Sequence, residues 1–199
     1  MVVNSRYYIA VTGASGSGKT TVLQMLKKRG FFTKDYDFFS VEIIKDSQAV
    51  HSKLFEFIGE KYWKNKNVDL KYVGEYFDKH EEEEKQFEAW YQPYLGERIR
   101  KDILENGYQG ICFFDVPFLK EKNIFDLFDE IWIIETEFKL CCKRIQDRNG
   151  YSDKKAMYLV KRSMPCEKNT FLNTYIIDNN FSEDNLETQL TNRLFSILA

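Results

Sequence analysis

Only three prolines occur in 199 residues, and the chain has no Pro-rich linker, internal repeat or low-complexity tract, which excludes a string of separate modules and leaves one domain over 1–199. Charge of one sign is also missing: 31 acidic side chains face 29 basic ones, for a formal charge of -2. A balance of that kind gives no bulk attraction to nucleic acid or to an anionic membrane, so any recognition of phosphate must be local. The four cysteines, Cys112, Cys141, Cys142 and Cys166, form no CxxC pair and have no metal-ligand spacing. Neither a structural metal nor a disulfide framework is expected, and reduced thiols in a cytoplasmic protein are the simplest account. No apolar run approaches the roughly 20 residues that cross a bilayer, and the first six residues carry no signal-peptide pattern. A hydrophobic share of 43% is present and suffices for a core.

The most informative stretch is Gly13-Ala14-Ser15-Gly16-Ser17-Gly18-Lys19-Thr20, a GxxxxGKT phosphate loop. It lies between Tyr7-Tyr8-Ile9-Ala10-Val11, which reads as a buried strand, and Thr21-Val22-Leu23-Gln24-Met25-Leu26, which reads as a helix start. Its glycines let successive backbone N–H groups of Ser15, Gly16, Ser17, Gly18 and their neighbours point inward at a polyphosphate, and the following helix adds its positive end. Lys19 would reach the terminal phosphates and the Thr20 hydroxyl would meet Mg2+, so the spacing predicts a nucleoside triphosphate site.

Helical spacing through Leu26, a basic Lys27-Lys28-Arg29 end and Gly30 as a stop precede a short strand at Phe31-Phe32-Thr33. That strand ends at Asp35-Tyr36-Asp37, where alternation would point both carboxylates the same way. The pair could orient a hydroxyl, accept its proton and help hold Mg2+, or be ordinary turn residues. Residues 40–106 change texture: helical periodicity, many aromatics and no convincing strand predict a helical insertion. Pro93 falls inside its second helix, where a kink or boundary is expected. Cys112-Phe113-Phe114-Asp115 has the shape of a strand whose acid orients Mg2+ beside a phosphate loop, or of a buried strand with a capping Asp. Further on, Ile131-Trp132-Ile133-Ile134 and Tyr175-Ile176-Ile177 read as strands, a helix bearing Arg144 and Arg148 lies between them, and a closing helix starts at Ser182. Strands alternating with helices imply an α/β fold, a parallel sheet of about five strands covered on both faces.

In this order the landmarks resemble those of the dephospho-coenzyme A kinase family over nearly the whole chain. Tyr8-Ile9-Ala10-Val11-Thr12-Gly13 with the phosphate loop, Thr21 and Val22 is similar to the family's opening. Asp35-Tyr36-Asp37 resembles its Asp-Ala-Asp, and Val116-Pro117-Phe118-Leu119-Lys120-Glu121 its Val-Pro-Leu-Leu-x-Glu. Arg144, Arg148-Asn149-Gly150-Tyr151-Ser152, Glu167-Lys168 and Ile177-Asp178-Asn179-Asn180 match later segments. The sequence departs from the family at Gln92 before Pro93, where a His is usual, at Ser40, at Ser163 and at Phe181.

The resemblance implies a three-layer phosphate-loop NTP hydrolase fold with a helical acceptor-binding insertion at 40–106 and a lid at 144–170. It implies transfer of the γ-phosphoryl group of ATP to the ribose 3'-hydroxyl of dephospho-coenzyme A, the last step of coenzyme A synthesis. Asp37 would be the base, with Asp35 or Asp115 placing metal waters and Thr20 holding Mg2+. Lys19, Arg144 and Arg148 would neutralise the phosphates, and Asn179 and Asn180 would lie near the adenine. Tyr91, Gln92, Arg98, Pro117 and Leu119 would receive the acceptor, although aromatics there can equally be core. Expected partners are therefore ATP and dephospho-coenzyme A, with no nucleic acid or membrane, in a monomer or small homo-oligomer. A kinase for another small acceptor and an inactive nucleotide-binding module are the alternatives.

Overall fold

The computed structural model describes residues 6–65, 67–164 and 173–198. Strands β1 (Tyr7–Gly13), β2 (Phe32–Asp35), β5 (Ile111–Asp115), β6 (Glu130–Glu135) and β7 (Thr174–Asp178) form a parallel sheet in the order β2-β5-β1-β6-β7. The three central strands are buried on both faces, and this is why they read as unbroken apolar runs. The two-residue side-chain period sorts them: Tyr8, Ala10, Cys112, Phe114, Ile131 and Ile133 point one way, Ile9, Val11, Phe113, Trp132 and Ile134 the other.

The second of these faces packs on α1 (Lys19–Lys28), through Val22, Leu23, Met25 and Leu26, and on α9 (Glu183–Leu198), through Leu186, Leu190 and Leu194. Gly30, at φ 88°, follows α1 and turns the chain toward β2, as expected from its place in the sequence. The Ser182 hydroxyl accepts the Asn185 N–H at 3.3 Å and starts α9.

Against the opposite face lie α2 (Tyr36–Asp46), α3 (Gln48–Ile58) and α5 (Glu81–Asn106), with α4 (Leu70–Phe77) beside them. Their apolar residues share one core with the sheet, so the helices between β2 and β5 extend that core. Two features differ from the sequence reading. A short antiparallel pair, β3 (Trp63–Lys64) with β4 (Asn67–Val68), interrupts the helices, and strands of two residues are too short to leave a periodic signal. And α5 continues through Pro93, so of the kink and the boundary expected there the boundary is excluded. Phe87 and Tyr91 before the proline and Leu95, Ile99 and Ile103 after it are all buried along one stripe. Burying five such side chains, at about 1.5–3 kcal/mol each, outweighs the roughly 3 kcal/mol that a helix-interior proline costs.

Helices α7 (Phe138–Asn149) and α8 (Asp153–Arg162) pack through Cys141, Ile145, Ala156 and Val160 against Ala14 of the loop after β1. The one-turn α6 (Leu119–Lys122) lies across α5, so close that a Cβ on Gly96 would enter the Lys122 carbonyl. Glu167 and Lys168, and residues 165–170 of the expected lid, fall outside the described residues. Among the described residues no helix is long and apolar enough to cross a membrane.

Two helical glycines should respond oppositely to alanine. Gly96→Ala forces the α5–α6 backbones apart and should lower stability by about 1–3 kcal/mol. Gly74, in α4, has open space where its Cβ would sit, so Gly74→Ala should raise stability by about 0.5–1 kcal/mol. Thermal and urea melts of both variants check the pair; equal effects would contradict the packing.

Candidate active site

The loop between β1 and α1 turns back on itself through residues that no side chain would fit. Gly16 has φ 80°, and a Cβ there would stand 2.6 Å from the Cys141 carbonyl oxygen. Gly18 caps α1 in the left-handed region at φ 102°, pressed against the Asn179 amide. The Gly16 and Ser17 carbonyls are met by donors from outside the loop, and the Ser17 carbonyl collects three. They are Asn179 Nδ2 at 2.7 Å, Thr136 Oγ1 at 2.9 Å and Arg144 Nη1 at 3.4 Å. Arg144 also donates to Gly16 O at 3.3 Å and, through Nη2, to Asn179 O at 3.2 Å. The Ser15 N–H is held by Ser163 Oγ at 2.7 Å, which ties the end of α8 to the loop. Lys19, first residue of α1, folds its ammonium over the loop toward Gly13 O at 2.9 Å and Ala14 O at 3.3 Å.

Parallel pairing brings the acids to this loop. Register places Asp115 opposite Val11 of β1 and opposite Asp35 of β2, so the ends of three adjacent strands meet at one edge. Asp35 caps α2, its Oδ1 accepting the N–H groups of Asp37 and Phe38 at 2.8 and 2.9 Å. Asp37 therefore sits in the first turn of α2 and not on a strand. The two carboxylates share a cleft because of the cap, not because of strand alternation.

The cleft, about 260 Å³, is lined by Ser15, Gly16, Gly18, Lys19, Thr20, Thr21, Asp35, Asp37, Asp115, Arg144 and Arg148. Three carboxylates thus face three cations around the start of α1. Asp115 is 4% exposed, and burial pushes its carboxyl up to about 7, with Lys19 pulling it down and Asp35 and Asp37 pushing it further up. Its Oδ1 is buried with no hydrogen-bond partner among the described residues. Asp115, Thr20, Asp35 and Asp37 line one cleft, and together they offer hard-oxygen donors of the kind Mg2+ takes. Among the described residues no group of three or more His, Cys, Asp or Glu could cage a metal by itself. Mg2+ needs none, since it is commonly held by one or two carboxylates together with substrate phosphates and water.

A second cleft, about 440 Å³, is lined by Lys85, Glu88, Ala89, Gln92, Pro93, Phe118, Glu121 and Arg162. Phe118 takes φ 52°, a left-handed conformation that costs a bulky residue about 1–3 kcal/mol, and its ring centroid is 5.4 Å from Lys122 Nζ and 5.6 Å from Arg162 Cζ. Arg162, from α8, pairs with Glu84 and with Glu88 of α5, and Tyr158 donates to Glu84, so α8 is drawn onto α5.

Of the residues expected at the acceptor, only Gln92 lines this cleft; Pro117 and Leu119 flank Phe118, Leu119 being buried. Tyr91 is core at 3% exposure, its hydroxyl bonded to Ser40 O at 2.9 Å, and Arg98 is exposed and lines neither cleft. Asn179 is spent on the phosphate loop, while Asn180 bonds Asp178 Oδ1 at 2.6 Å and accepts the Glu137 N–H at 2.7 Å. Glu88, Lys122 and Arg162 carried no signal in the sequence. Each is one charge among many on helical segments, and only tertiary contact sets them apart.

Known proteins resemble this chain over nearly its whole length. A dephospho-CoA kinase of Oceanobacillus iheyensis is 28% identical over 190 residues, covering 94% of this chain and 95% of the relative. Among solved structures, protein TT1252 of Thermus thermophilus superposes with a TM-score of 0.74 at 22% identity, covering 96% of this chain and 97% of that one. The dephospho-CoA kinase of Campylobacter jejuni follows at 0.64 and 20% identity, covering 97% and 98%. The sequence model of the dephospho-CoA kinase family matches residues 7–185, and the chain belongs to that family.

Proposed function

We propose that this chain transfers the γ-phosphoryl group of ATP to the ribose 3'-hydroxyl of dephospho-coenzyme A, yielding coenzyme A and ADP. The observation that carries the reading is the meeting of Lys19, Arg144 and Arg148 with Asp35, Asp37 and Asp115 in one cleft at the loop. Family membership names the acceptor.

The loop amides other than those of Ser15 and Ser17, which are bonded to Ser163 Oγ and Ala14 O, receive the β and γ phosphates with the Lys19 ammonium, displacing the contacts that Lys19 makes with Gly13 and Ala14. Arg144 braces the loop from outside and Arg148 adds charge at the rim of the cleft. Asp37, on the opposite wall, holds the 3'-hydroxyl and takes its proton as the O3'–Pγ bond forms. The bond from Pγ to the bridging oxygen breaks, and ADP leaves with that electron pair. Thr20 and Asp115 would hold Mg2+, which would supply positive charge against the charge developing in the transfer. Because phosphoryl transfer passes through a loose transition state, fixed charge and alignment matter more than the basicity of Asp37. The reading places the reaction in the cytoplasm, where ATP is available.

An assay coupled to ADP release, run with dephospho-coenzyme A beside adenosine and nucleoside monophosphates, tests the acceptor. Turnover should be confined to dephospho-coenzyme A, and preference for a nucleoside would contradict the reading. In the same assay Lys19→Met should lower kcat/KM by about 10²–10³-fold. Asp37→Asn should keep ATP binding, measured by calorimetry, while losing about 10²–10⁴-fold in kcat; full turnover in that variant rejects Asp37 as the base. Chelation by EDTA should stop ADP release and added Mg2+ should restore it, whereas EDTA-insensitive turnover excludes the metal.

A further inference from the structure

Lys122 ends α6 beneath the second cleft and is only 3% exposed, although its neighbours Lys120, Glu121 and Asn123 make the segment read as surface. Its ammonium donates to Gln92 Oε1 at 2.7 Å and to Pro117 O at 2.5 Å. Its own N–H reaches Phe118 O at 3.2 Å. One side chain therefore holds both the Gln92 carboxamide and the left-handed turn that carries the Phe118 ring.

The chemistry of the pair removes the usual ambiguity of an amide. An ammonium has donors only, so the Gln92 oxygen must face Lys122 and the NH2 group must face away. That NH2 group donates one of its two hydrogens to the Glu88 carboxylate, and the second has no partner among the described residues. Gln92, Glu88 and Phe118 all line the second cleft, whereas Lys122 lies behind them. The carboxylates of Glu88, Asp37, Glu121 and Asp115 surround the ammonium electrostatically, and although burial pulls it down to about 8 it stays mostly charged at neutral pH. The close contact of Gly96 with the Lys122 carbonyl fixes the backbone from the α5 side.

We propose that Lys122 is a positioning residue for the acceptor, locking the Gln92 carboxamide and the Phe118 turn so that the second cleft offers one N–H donor and one aromatic face. The ligand group that fits is a flat heteroaromatic or ribose moiety bearing a hydrogen-bond acceptor. The inference rests on the kinase reading above.

Steady-state kinetics of Lys122→Met, Gln92→Met and the double variant, with ATP and dephospho-coenzyme A varied separately, provide the test. Each single variant should raise the acceptor KM by about tenfold, the loss of one hydrogen bond to a charged or buried partner, with the ATP KM unchanged. The double variant should be no worse than the poorer single one, because both act through one unit. An additive double variant, or an ATP KM that climbs in step with the acceptor KM, overturns the proposal. Should Lys122→Met fail to fold, Gln92→Glu decides: it keeps the bond to Lys122 but removes the N–H donor, and an unchanged acceptor KM refutes the role. Wild-type protein that does not turn over dephospho-coenzyme A overturns the functional reading and the inference with it, whereas an active wild type with silent variants overturns the inference alone.

Discussion

The Ser17 carbonyl is the point on which the site depends. A phosphate loop can aim its N–H groups inward only if its carbonyls point outward, and an outward carbonyl in a packed protein needs a donor. Here the donors come from three separate places: Thr136 after β6, Arg144 in α7 and Asn179 after β7. The sheet order explains why they can converge. β6 lies next to β1 and β7 next to β6, so the chain segments leaving their carboxyl ends pass over the loop that leaves β1. Glycine at positions 16 and 18 lets those segments approach the loop backbone to contact distance.

On the other side of β1 the same topology supplies acid. β5 and then β2 deliver Asp115 and Asp35 in register, and the cap at the start of α2 adds Asp37. The cleft thus has a cationic wall from the loop and α7 and an anionic wall from β5 and β2. This separation suits a reaction in which one wall must hold a polyphosphate and the other must take a proton from an alcohol. The buried Asp115 carboxyl, raised by its surroundings and with no partner for Oδ1 among the described residues, is a place where a divalent cation would balance the anionic side.

Much of this was legible in the sequence because it is local. The phosphate loop is fixed by spacing within eight residues, and the central strands announce themselves as apolar runs. The Asp35 and Asp37 pair was legible as a pair, but its geometry was not, since whether Asp37 continues a strand or opens a helix is settled by the cap. The continuity of α5 through Pro93 rests on a buried stripe that only the sheet face and neighbouring helices create. Lys122 lay furthest from reach. Nothing within the run from Lys120 to Asn123 distinguishes a buried lysine from a solvated one, and its burial comes from Gly96 and Gln92, about thirty residues away.

The account holds that the clamped loop and Asp37 face each other across space for a single alcohol oxygen. A crystal structure with an unreactive ATP analogue, Mg2+ and dephospho-coenzyme A bound together tests this most directly. The account predicts the 3'-oxygen within hydrogen-bond distance of the Asp37 carboxylate and in line with the γ-phosphorus above the Lys19 ammonium. A map with Asp37 turned away from the acceptor, or with the acceptor on the far side of the loop, would contradict it.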